Sequence, residues 1–112
     1  MKILFLDDNI YRLIYAKKKW ANHDLILAET SQEAINALRN NKFDFVSLDH
    51  DLGGEVYVES GENTGYEVAQ FIAKMETPPP IVVVHSWNSA GARKMVQELE
   101  NVTEVDYQPF VL

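Results

Sequence analysis

The chain has 112 residues, 46% of them hydrophobic and 24% charged, with a formal net charge of −7; that is enough for a single domain over 1–112 and too little for two. The acidic balance excludes an extended nucleic-acid surface, which needs a basic footprint, while leaving room for a pocket that takes one nucleotide or RNA end. With no cysteine, a disulfide scaffold, a Cys-ligated zinc site and a thiol nucleophile are excluded, and a reducing compartment fits.

Residues 2–7 (KILFLD) form an apolar run ending in acids, as expected of a buried parallel strand. Residues 10–20 place Ile10, Leu13, Ile14 and Lys17 at helical spacing, which predicts a helix with one apolar face. Its basic run, Lys17 to Lys19, reads as a solvated surface. Residues 24–28 read as a second strand, with His23 before it as plain surface. Thr30 followed by Glu33 is a capping box that opens a second helix, ending near Asn40 and Asn41. A third strand is expected over 43–49, then a long loop over 50–65 holding Gly53, Gly54, Gly61 and Gly65. Loops of that length in small domains are usually functional or mobile. A third helix is expected over 66–75, stopped by Pro78 to Pro80. A fourth strand covers 81–86 (IVVVHS), a fourth helix 89–100, and a short edge strand 105–110, where Pro109 lacks a ladder donor.

Strands alternating with helices predict an α/β fold: a flavodoxin-like, three-layer sandwich with a five-stranded parallel sheet of order 2-1-3-4-5, lacking a last helix. No stretch is long enough for a membrane span, and the N-terminal apolar run is too short for a signal peptide, so a cytoplasmic protein is expected. An edge strand ending in FVL leaves monomer and homodimer both open.

In such a sheet, ligands lie outside the carboxyl ends of the strands, at the switch between strands 1 and 3. Asp7 and Asp8 end the first strand; Asp49, His50 and Asp51 end the third; His85 and Ser86 end the fourth, with Asn88 close behind. Four acids in one place need a cation, protons or basic partners. Oxygen donors from Asp7, Asp8 and Asp49 suit Mg²⁺ or Mn²⁺, and a histidine favours Mn²⁺. His50 and His85 could serve as base and acid toward one phosphate, with Asp49 or Asp51 fixing a tautomer. Ser86, Asn88 and Arg12 could hold phosphate oxygens, though Arg12 serves equally as an ion-pair partner of Asp7 or Asp8. Thr64 is explained by a helix N-cap, yet it also stands at an anion-binding helix terminus. Trp20, Tyr57, Tyr66 and Trp87 are possible base-stacking platforms; Trp20 reads as core and Trp87, on a rim loop, as the better candidate.

The chain resembles a response-regulator receiver domain: FLDDN is similar to that family's acidic pair and Asp49 to its phosphoacceptor, a role exercised there with Mg²⁺. It departs in having His85 where receivers place Thr or Ser. It also has no Lys or Arg after Lys94, and so no lysine ends its last strand. The closer resemblance is to the cyclic-phosphate-processing receiver domains, through FLDDN with Arg12, SLDHDLGG, TGYEV and VHSWNSAG, with Ser89 where members often carry Pro. That resemblance implies a phosphoesterase acting on a cyclic phosphate, at an RNA end or in a cyclic nucleotide. A nucleotide-sequestering module and a phosphoacceptor receiver are the alternatives.

Overall fold

The apolar runs become five parallel strands separated by helices, in a computed structural model that describes residues 1–52 and 59–110. Among these residues the elements are β1 (Lys2–Leu6), α1 (Ile10–Lys19), β2 (Asp24–Ala28), α2 (Ser31–Asn40), β3 (Phe45–Leu48), α3 (Gly65–Ala73), β4 (Ile81–Val84), α4 (Ser89–Leu99) and β5 (Glu104–Tyr107). The sheet order is β2-β1-β3-β4-β5, as expected. Gly53, Gly54, Tyr57 and the final Val111 and Leu112 lie outside the described residues.

Side-chain alternation along the strands divides the core in two. Leu4, Leu6, Val46, Leu48, Val82 and Val84 face α2, α3 and α4. Phe5 faces the opposite way and packs with Leu13 and Ala16 of α1 and with Phe110. The chain after β5 folds back over this second face, where the Phe110 amide donates to the His85 carbonyl at 3.1 Å. Phe110 meets the His85 ring at a centroid distance of 5.9 Å and Tyr15 edge-on at 5.0 Å. A cavity of about 220 Å³ remains beside it, walled by Phe5, Trp20, Phe45, Val83 and Phe110.

Three local expectations change. Ile10 and Ile14 are exposed (60% and 42%), and α1 buries Arg12, Leu13 and Ala16 instead. The helix is turned so that Arg12 reaches Asp7, an ion pair that spacing of apolar residues cannot reveal. The capping box is shifted: Thr30 Oγ1 accepts from the Glu33 amide at 3.1 Å, but Glu33 Oε1 accepts from the Glu29 amide at 2.9 Å rather than from that of Thr30. Thr64 occupies the N-cap position of α3 without a capping side-chain bond, because its hydroxyl donates to the Gly61 carbonyl at 2.8 Å.

Candidate functional site at the strand ends

Each strand passes its last rung to its neighbour. The Asp7 amide donates to the Ala28 carbonyl at 3.0 Å, Asp49 to Leu6 at 3.0 Å, and His85 to Leu48 at 2.9 Å. The residues that end β1, β3 and β4 therefore sit on the sheet's own hydrogen-bond ladder and not on free loops. Asp7, Asp49 and His85 each bring a donor atom within 4.8 Å of the others, and all three are buried.

Asp7 is the hub. Its Oδ1 accepts from the Asn9 amide at 2.9 Å, and its Oδ2 accepts from Arg12 Nη1 at 3.2 Å and from His85 Nε2 at 2.9 Å. Burial by itself would raise its pKa; the His85 hydrogen bond and charge, the Asn9 amide and Arg12 outweigh burial and hold it below the ordinary carboxylate value. Burial pushes His85 the other way, toward the neutral ring, and Asp7 opposes this only in part. A neutral His85 with its proton on Nε2 donates to Asp7 and accepts at Nδ1 from the Ser47 hydroxyl, 2.7 Å away. Phe5 stacks on the ring at 4.7 Å and 3°. Its plane and tautomer are thus set from three sides.

Arg12 also lies 3.7 Å from Asp49, so the geometry shows the ion-pair reading of this residue, with Asp7 as its nearer partner. Asp49 is raised to about 7, first by burial and then by the charges of Asp7 and Asp51, against the lowering effect of Arg12 and the His50 amide.

His50 takes the opposite direction from Asp49, as alternation requires. Its Nδ1 faces Asp51 Oδ1 at 2.8 Å and its Nε2 the Ser60 hydroxyl at 2.8 Å. Asn88 completes this second group, donating from Nδ2 to Asp51 Oδ1 at 3.1 Å and accepting at Oδ1 from the Gly91 amide at 3.0 Å as the cap of α4. The Ser86 hydroxyl accepts from the Asn88 amide at 3.0 Å. The expected single cluster is therefore two groups that share Asp49 as their border. Asp8 is half-buried beside the close-packed trio. Thr64 is buried with Gly65, whose amide donates to the His50 carbonyl at 2.9 Å. A Cβ on Gly65 would lie 1.9 Å from the Asp49 carbonyl oxygen, so only glycine lets α3 approach β3 this closely.

Gly91 is held by the same logic. A Cβ there would stand 2.6 Å from the His50 ring. Gly91→Ala is expected to destabilise the domain by about 2 kcal/mol despite alanine's better helix propensity. A thermal melt checks this; an unchanged or raised melting temperature would show that the ring has room to move.

Three partners of the histidines escaped the sequence reading: Ser47, Phe5 and Ser60. Ser47 stands two residues before Asp49 on β3, and Phe5 two before Asp7 on β1. The period of two places each on its acid's face, and a lone serine in an apolar strand was the available signal. Ser60 carried no such signal. Of the other aromatic candidates, Trp20 is half-buried against Phe5 and Phe45, Tyr66 donates to Glu98 at 3.3 Å, and Trp87 is 51% exposed.

Residues 2–101 match the family described as the cyclic-phosphate processing receiver domain. The chain belongs to that family. Solved structures similar in fold are response-regulator receivers. TrrA of Thermotoga maritima, in complex with Mg²⁺–BeF, superposes with a TM-score of 0.75 at 20% identity over 100% of this chain and 89% of its own. The HemR receiver domain of Leptospira biflexa gives 0.72 at 24% identity, over 99% and 82%. A Burkholderia pseudomallei response regulator with a phosphorylated aspartate, calcium and citrate gives 0.72 at 17%, over 99% and 60%. A search of curated protein sequences finds no match. Among the described residues no helix is long and apolar enough to cross a membrane.

Asp7, Asp49 and His85 of this receiver domain each offer a ligand atom within 4.8 Å of the others, a set that could hold a metal ion once His85 Nε2 gives up its proton. The same atoms are already satisfied by one another and by Arg12, so an ion would take over the guanidinium's role as counter-charge.

Proposed function

We propose that this receiver domain is a phosphoesterase that opens a cyclic phosphate, at an RNA end or in a cyclic nucleotide. The observation that carries the reading is the His85–Asp7–Arg12 arrangement beside Asp49. An oriented imidazole, a guanidinium and a carboxyl that titrates near neutrality meet where a receiver fold binds its ligand.

Ring opening adds water across one P–O bond. The attacking water loses a proton, the departing ribose oxygen gains one, and a phosphomonoester remains. Asp49 is placed to accept the first proton and, once protonated, to return one to the departing oxygen, while His85 fixes the Asp7 carboxylate that holds Arg12 over the phosphate charge. A bound divalent ion would add Lewis-acid stabilisation of that same charge. His50, with both ring nitrogens engaged by Asp51 and Ser60, ties Ser60 to the end of β3.

The test is a mass-spectrometric turnover screen of 2′,3′-cyclic nucleotides, 3′,5′-cyclic nucleotides and cyclic-phosphate-ended RNA, with and without Mg²⁺ or Mn²⁺. Wild-type turnover should fall about 100-fold in His85→Ala and far less in His50→Gln. No turnover of any substrate at high protein load would overturn the assignment; a ligand retained through gel filtration would then favour a sequestering module. A second reading, phosphoryl transfer to Asp49, is favoured by Arg12, which brings a cation to 3.7 Å from Asp49 where no lysine follows β5. Acetyl phosphate with Mg²⁺, followed by intact mass, separates the two.

A further inference from the structure

Trp87 is a large aromatic residue next to the site that the fold leaves half in solvent, at 51% exposure, although it directly follows buried Ser86. Its ring is nevertheless fixed. The indole Nε1–H donates to the Phe110 carbonyl at 2.6 Å, and the Arg12 guanidinium lies over the ring, 4.7 Å from its centroid. The guanidinium is also 5.1 Å from the Phe110 ring. A tryptophan that needed only burial would not stand open with its polar edge already satisfied, and one that needed only freedom would not be tied at two points.

We propose that Trp87 is the stacking platform for the base of a nucleotide whose phosphate lies at the Asp7–Arg12–Asp49 corner. The inference rests on the phosphoesterase reading and deepens it by naming the residue that takes the base of the nucleotide or RNA end. Arg12 joins the two halves, because one guanidinium touches the carboxylates on one side and the indole on the other. Arg12 therefore adjoins both the corner and the indole that would carry the base. With Nε1–H engaged and Arg12 over one face, the ring offers its other face and no free donor. Recognition by such a face is tolerant of base identity, because every base can stack. An immobilised ring also loses little side-chain freedom on binding.

Affinities are measured by calorimetry in the Asp49→Asn background, which keeps the ligands intact. The probes are adenosine 2′,3′-cyclic phosphate, glycerol 1,2-cyclic phosphate and adenosine monophosphate. The nucleoside cyclic phosphate should bind about 10-fold or more tighter than the glycerol compound. Trp87→Ala should erase most of that preference, and Trp87→Phe should restore it to within about 3-fold, since a phenyl ring still stacks. Circular dichroism checks that both variants fold, as expected for a half-exposed position. Equal affinity for the two cyclic phosphates, or a preference that survives Trp87→Ala, overturns the platform while leaving the phosphoesterase reading intact. Adenosine monophosphate binding that depends on Trp87, with neither cyclic phosphate bound, keeps the platform and overturns that reading. No binding of any probe overturns both.

Discussion

Asp49→Asn is expected to stabilise the fold at pH 8 and to leave it nearly unchanged at pH 4, in buffer treated with a chelator. Burial, then Asp7 and Asp51, raise this carboxyl from 3.8 to about 7. A carboxyl raised by folding holds its proton more tightly in the native state. Its contribution is complete below its unfolded pKa and is lost as pH climbs through about 7. Above that point the wild-type domain carries a buried charge beside two others, and the amide does not. The interval corresponds to about 4 kcal/mol at most, and about 2 kcal/mol is expected once neighbouring dipoles adjust. His85 has the opposite trend. Its native pKa lies below the unfolded one, so it favours folding increasingly as pH rises toward and past the ordinary histidine range. Both proteins share that trend, so the difference between their stabilities isolates Asp49. Denaturant unfolding at pH 4, 6, 7 and 8 should show a gap that opens with pH and levels off above about 7. A gap of constant size would mean that Asp49 stays ionised throughout.

Arg12→Ala should be the most damaging conservative truncation at the rim. The guanidinium is buried, pairs with Asp7 at 3.2 Å and Asp49 at 3.7 Å, and fills the space between Trp87 and Phe110. Removing one partner from a buried pair leaves the other charge without compensation, at a cost of about 3–5 kcal/mol. Here Asp49 can take up a proton, so about 3 kcal/mol is expected at pH 7.5 and less at pH 5. Urea unfolding of Arg12→Ala, Asp49→Asn and the double variant measures the coupling. The double variant should be more stable at pH 7.5 than the sum of the two single effects predicts, because the charge left unpaired is absent. Arg12→Lys should recover only part of the loss, since an ammonium neither forks between two carboxylates nor lies flat between two rings. Full recovery by lysine would reduce Arg12 to a point charge and weaken its proposed link to Trp87.

The strand order and the polar ends of β1, β3 and β4 were legible because each depends on local pattern: apolar runs of strand length, helical spacing between them, and a topology rule that brings the ends together. What was not legible is direction. Asp49 and His50 are adjacent in sequence, yet the pleat sends one to Arg12 and the other to Ser60. Apolar spacing in α1 pointed to Ile10, Leu13 and Ile14 as its buried face; Leu13 is buried as expected, but Arg12, paired with Asp7, is buried beside it and both isoleucines lie in solvent. The serine beneath His85 could be found by counting back two from Asp49, whereas Ser60 lies across a loop that obeys no period. Pattern thus gave the address of the site, while the pairing of its two histidines depended on contacts between distant segments.

The staircase of amides at the strand ends also governs how this site fails. The amide protons of Asp7, Asp49 and His85 are each held by the last carbonyl of the adjoining strand, so they should exchange with solvent only when the sheet itself opens. Deuterium uptake at these three positions would then track global unfolding. Mild heat or denaturant would not strip the rim from an otherwise folded protein, and no population should exist with an intact sheet and a melted Asp7–Asp49–His85 corner.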